Sequence, residues 1–142
     1  MIILGGALAA LLLGTGGLFV LYDRATAPDR STPDVAVYGF LQAHFVDRND
    51  TLAQQLVCRS PSLAQFHDLR ADLVERESRF GTSIDVSWGS MAIEMQGSEA
   101  RVRLELILSA VVNGSSQSER QSWMIQARNE GGWRICQAER LI

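Results

Sequence analysis

Polar and apolar positions along the chain change rhythm three times, and each change marks a different kind of element. From Ile2 to Tyr22 there is no charged residue. At about 1.5 Å per helical residue such a run reaches roughly 30 Å, the thickness of a bilayer hydrocarbon core. The pattern predicts a membrane-spanning helix over residues 2–22. A cleaved signal peptide is the rival reading, but its apolar stretch is usually shorter and ends in a small-residue cleavage site, which does not follow Tyr22. Residues 23–32 are polar, contain Pro28 and read as a tether.

Beyond the tether, residues 33–142 carry the pattern of one α+β domain. Thr32, Pro33 and Asp34 form a helix start, with a capping hydroxyl, a proline in the first turn and an acid at the positive end of the dipole. Val37, Phe40, Leu41, His44 and Phe45 then share one helical face. A short helical piece is expected over Thr51 to Cys58. A longer helix is expected from Ser60-Pro61 to about Arg79, stopped by Gly81, with Leu63, Phe66, Leu69, Leu73 and Val74 on its buried side. From Thr82 the period becomes two. Turn signals at Gly97-Ser98, Asn113-Gly114 and Gly131-Gly132 divide the rest into four antiparallel strands. Gly89 interrupts the first of these and predicts a bend. The expected architecture is therefore a transmembrane helix followed by a cone of two to three helices packed on a curved four-stranded antiparallel sheet.

Charge narrows the function classes. With 13 Lys+Arg against 16 Asp+Glu the net charge is -3, all 13 cations are Arg, and no basic stripe occurs. A nucleic-acid surface needs clustered cations and is not expected. The Arg-only usage is the habit of a GC-rich genome more than a binding signal. Orientation across the membrane is contested within the sequence. Arg24 and Arg30 follow the apolar run and would by themselves place the domain inside.

Cys58 and Cys136, the only cysteines, argue the other way. In the cytoplasm they would read as two buried thiols; behind a membrane anchor, a pair 78 positions apart reads as a disulfide in an oxidising compartment. The expectation is a cell-membrane protein with its C-terminal domain extracytoplasmic. A zinc site would need His44 and His67 beside the cysteines, and the spacing fits no finger; neither metal nor cofactor is expected.

His44, on the apolar stripe, is the one titratable group predicted to point into the cone, as a general base, a ligand contact or a hydrogen-bonded core residue. Phe40, His44, Phe45, Trp88, Met95, Trp123 and Trp133 could line an apolar pocket there, or simply form the core under the helices. Asp85, Glu94 and Glu105 fall out of phase with the apolar set, so no pocket acid is expected, and no phosphate loop or nucleophile elbow occurs. Gly6, Ala10 and Gly14 give the apolar run one small-residue face. An exposed patch around Ile107 and Met124 on the outer face of the sheet would point to a protein partner or to a homodimer.

The order of helix, short helix, helix and antiparallel strands resembles the cone fold of nuclear transport factor 2 and the ketosteroid-isomerase-like proteins. Val57-Cys58 and Trp133-Arg134-Ile135-Cys136 are similar to the paired motifs of single-pass actinobacterial membrane proteins that carry this domain outside the cell. The resemblance spans residues 33–142. It implies a membrane-anchored, non-catalytic accessory module of the envelope, engaging a protein partner or an apolar ligand, such as a subunit of a lipid-import or secretion complex. The alternative is an isomerase-like or hydrolytic enzyme using His44, weakened by the missing pocket acid.

Overall fold

The computed structural model describes residues 27–142, so the expected membrane span at 2–22 lies outside the described residues. Among those described, no helix is long and apolar enough to cross a membrane. The first helix, α1, is Pro33–Leu41 and passes directly into a π-helical turn, Gln42–Val46. All five residues of the stripe read from sequence are buried. Thr32 precedes the helix, but its hydroxyl makes no cap; its carbonyl instead accepts from the Ala36 amide at 3.1 Å. The wider π turn is closed by the Asp47 amide on the Gln42 carbonyl at 2.8 Å. Such turns insert one residue into a helix and often sit where a side chain has a task.

The next segment departs from the sequence expectation. The short helix α2 covers only Asp50–Gln54, capped by Asn49 Oδ1, which accepts from the Leu52 amide at 3.1 Å. The chain then becomes a strand, β1, Val57–Ser62, in place of the predicted helix end and helix start. Its conformation is imposed by partners: β1 runs parallel to the last strand, and the Ile135 amide donates to the Leu56 carbonyl at 2.8 Å. Pro61 is tolerated because β1 lies at the sheet edge, where an absent amide breaks no ladder. The long helix α3 therefore starts at Ala64 and ends at Phe80, with Gly81 in the left-handed region at φ 61 as its stop; Val74, expected on its buried side, is exposed, one position round the helix from buried Leu73.

The sheet has six strands rather than four. β2, Asp85–Trp88, and β3, Ala92–Gln96, are two pieces of the predicted first strand, separated at Gly89-Ser90-Met91 and both paired with β4, Glu99–Val112. β5, Ser115–Asn129, and β6, Trp133–Arg140, complete an order of β1-β6-β5-β4-β2, with β3 on β4. The β4–β5 hairpin turns through Asn113 and Gly114, both with positive φ (51° and 78°), the two-residue turn that matches strand twist. A register shift between Gln126 and Ala127 adds curvature.

Val102, Leu104, Leu106 and Leu108 of β4 and Trp123, Ile125 and Ala127 of β5 point into the concave side and meet α1 and α3. The convex side is charged: Ile107 and Met124 are only half-exposed, and an Arg120–Glu105 ion pair at 3.1 Å lies beside Ile107. Arg101, Arg103, Glu105 and Arg120 occupy the same face as Ile107 and Met124 and set these two apolar side chains among charges.

Candidate functional site

The helices of the cone close over the sheet with aromatic rings. Phe66 of α3 meets Trp123 of β5 at 4.6 Å between centroids, Phe45 stands edge-on to Phe66 at 5.2 Å, and Phe40 stacks on His44 at 5.2 Å. These side chains fill the space between helices and sheet, so the interior of the cone is core. The opening of about 660 Å³ lies instead on the outer side of the helical layer, between the π turn, α2, β1 and α3. Its floor is apolar, with Phe40, Leu63 and Val57, and its walls carry His44, Asp50, His67 and Arg70.

His44 joins these two regions. Its ring is 2% exposed, and Nε2 lies 3.3 Å from the Phe66 carbonyl. A carbonyl can only accept, so Nε2 carries the proton and Nδ1 is left as an acceptor. Burial lowers its pKa to about 4; the Phe66 carbonyl and Asp50 push it up, while Arg70 and His67 add to the lowering. The imidazole is therefore neutral at pH 7. His67, exposed on α3, stands edge-on at 5.2 Å. Asp50 is locked to Arg70 by an ion pair, which holds its carboxyl below the usual carboxylate range. The groove thus offers apolar surface, a neutral histidine and a compensated charge pair, an arrangement suited to binding an apolar group with a polar edge.

Of the seven residues read as a pocket, Phe40 and His44 line this groove. Phe45, Trp123 and Trp133 are buried in the core. Trp88 is half-buried at the sheet edge against Tyr38, and Met95 lies exposed on β3. The physical reason is that strand alternation fixes a side chain's face but not how far the helices extend to cover it. Trp88 and Met95 share the concave parity, opposite Leu106 and Ala100, yet Trp88 meets the exposed Tyr38 at the flank of α1 and Met95 is left open. Asp50, His67 and Arg70 were missed as a set. Leu63, His67, Arg70, Ala71 and Val74 do follow a helical spacing on α3, on a face adjacent to the buried stripe, and that second stripe was the available signal.

Cys58 and Cys136 are joined in a disulfide, with Cα atoms 4.9 Å apart, tying β1 to β6. Glu130 approaches the two sulfurs, the trio a cation would need, but thiolates consumed by the bridge cannot serve as ligands.

No protein-family model and no curated protein matches the chain. Solved structures do. The CaMKII hub of S. rosetta aligns with a TM-score of 0.57 at 14% identity, over 75% of this chain and 90% of that one. An NTF2-like protein from Novosphingobium aromaticivorans with a cystatin-like fold gives 0.54 at 19% identity, over 89% and 85%. An NTF2-like superfamily protein from Salmonella enterica gives 0.52 at 17%, over 75% and 84%. At these identities the likeness shows the fold alone: the described residues take an NTF2-like, cystatin-like fold.

Proposed function

We propose that the protein is a membrane-anchored, non-catalytic binding module of the cell envelope, of the single-pass actinobacterial type. Residues 2–22 hold it in the membrane, and the domain lies on the extracytoplasmic side. It engages an apolar ligand, or an apolar side chain of an envelope protein partner, in the groove beside His44. One observation carries the reading. The Phe66–Trp123 contact fills the cone, and the groove outside it presents an acid already neutralised by Arg70. A general base works best with a pKa near the operating pH, and His44 at about 4 is a weak one. The disulfide supports the oxidising compartment. Fold likeness to a CaMKII hub is compatible with an accessory role.

The second reading, an isomerase-like or hydrolytic enzyme, is favoured by the proximity of His44 to His67 at 5.2 Å. Both readings are tested by filling the groove. Ala71→Trp in the full chain should abolish the part of Nile red binding that is lost on competition with a short-chain fatty ester, with an unchanged far-UV spectrum. Equal binding by wild type and variant refutes the groove as the site. Turnover of the ester that His44→Gln abolishes would replace the binding module with the enzyme.

A further inference from the structure

A second apolar surface lies at the other end of α1. A shallow groove of about 350 Å³ separates α1 from the edge strand β3 and is lined by Asp34, Val35, Tyr38, Met91 and Ile93. Tyr38 is 55% exposed and Ile93 41%, and Trp88 stands edge-on to Tyr38 at 5.3 Å. Ile93 lies opposite Val102, on the concave face, but α1 packs on β4, β5 and β6, which leaves β3 uncovered. Large apolar side chains left open at one place, with an exposed tyrosine beside a half-buried tryptophan, are uncommon on a free surface.

The position of this surface along the chain says what covers it. Val35 and Tyr38 sit in the first two turns of α1, immediately after the tether. Arg30 is already fixed to the domain, its carbonyl accepting from the Trp133 amide at 2.9 Å. Only residues 23–29 separate that fixed point from the uncharged run 2–22, a span of about 25 Å when fully extended. A domain of roughly 110 residues is itself about 35 Å across. The end bearing the start of α1 is therefore held close to whatever residues 2–22 enter.

We propose that the α1–β3 face rests on the interfacial layer of the bilayer, with Tyr38 and Trp88 at the headgroup level and Met91 and Ile93 beside them. Tyrosine and tryptophan favour that layer because each has an apolar body and a polar edge. The inference rests on the anchored reading given above. Apolar contact rather than headgroup charge carries it: the groove's ionisable group is Asp34, and Glu94 of β3 alternates with Ile93 onto the opposite face of the sheet. A zwitterionic phosphatidylcholine surface is the matching partner.

The chain contains three tryptophans, and Trp123 and Trp133 are buried at 1% and 6% exposure, which makes Trp88 the natural reporter. The full chain reconstituted in phosphatidylcholine vesicles should lose up to about a third of its tryptophan emission when the acyl chains are brominated near the headgroup. Trp88→Phe should remove that quenching, and Ile93→Glu should reduce it, while both variants still float with the vesicles. A chain that does not float overturns the anchored reading and this inference with it. Flotation with no quenching, or equal quenching in Trp88→Phe, overturns this inference alone. An emission shift that grows with protein density and ignores bromine would assign the face to a second copy of the chain and overturn the lipid contact.

Discussion

Lowering the pH should weaken this domain through one side chain. His44 titrates at about 4 in the folded protein against an ordinary value of 6.5, because protonation would place a charge in a buried aromatic site. The folded state thus binds fewer protons than the unfolded chain between these values, and stability falls as pH drops from about 6.5 toward 4. The full separation is worth roughly 3.5 kcal/mol, at about 1.4 kcal/mol per pH unit. Between pH 7 and pH 5, with partial screening through the groove mouth, we expect a loss of about 1 to 2 kcal/mol.

The assay is urea unfolding of the full chain at both pH values, read by tryptophan fluorescence, for wild type and His44→Gln. Glutamine keeps a donor for the Phe66 carbonyl but cannot titrate. Asp50, His67 and Arg70 remain in both proteins, so their contributions cancel to first order in the difference. The reasoning is refuted if the two proteins lose the same stability from pH 7 to 5, or if the His44 ring is seen by NMR to titrate near 6.5.

The other expectations concern the frame around the groove. Replacing both cysteines with Ala should destabilise the domain by about 4 kcal/mol, since the bridge closes a loop of 78 positions, with the drop in urea midpoint matched by reducing the wild type. Phe66→Ala should cost about 3 to 5 kcal/mol, and loss of the near-UV signal of Trp123 would report the emptied contact. Gly81→Ala meets no atom within 4 Å, so its cost of about 1 kcal/mol is backbone strain alone, measurable as a lower melting temperature with unchanged spectra.

Periodicity revealed what depends on periodicity. The α1 stripe, the α3 stripe and the alternation of β4 were legible because each buries one regular face against a single layer. β1 was not legible. Val57-Cys58-Arg59-Ser60-Pro61-Ser62 has no alternation, and its extended state comes from pairing with residues that follow some 75 positions later. Gly89 signalled the bend but not that the strand would break into two. In the candidate site His44 was legible from the stripe, whereas the Asp50–Arg70 pair joins separate elements and leaves no local signal.

Strand β6 lies inside the sheet, between β1 and β5, although it is the last strand made. Until residues 133–140 leave the ribosome, both of its neighbours have an unmatched flank and Cys58 has no mate. The sheet is therefore closed late in synthesis, by insertion of β6 between strands already made. A nascent chain halted before Trp133 would leave β5 with an open edge and β1 with no strand to pair with, a natural target for holding chaperones and quality-control proteases.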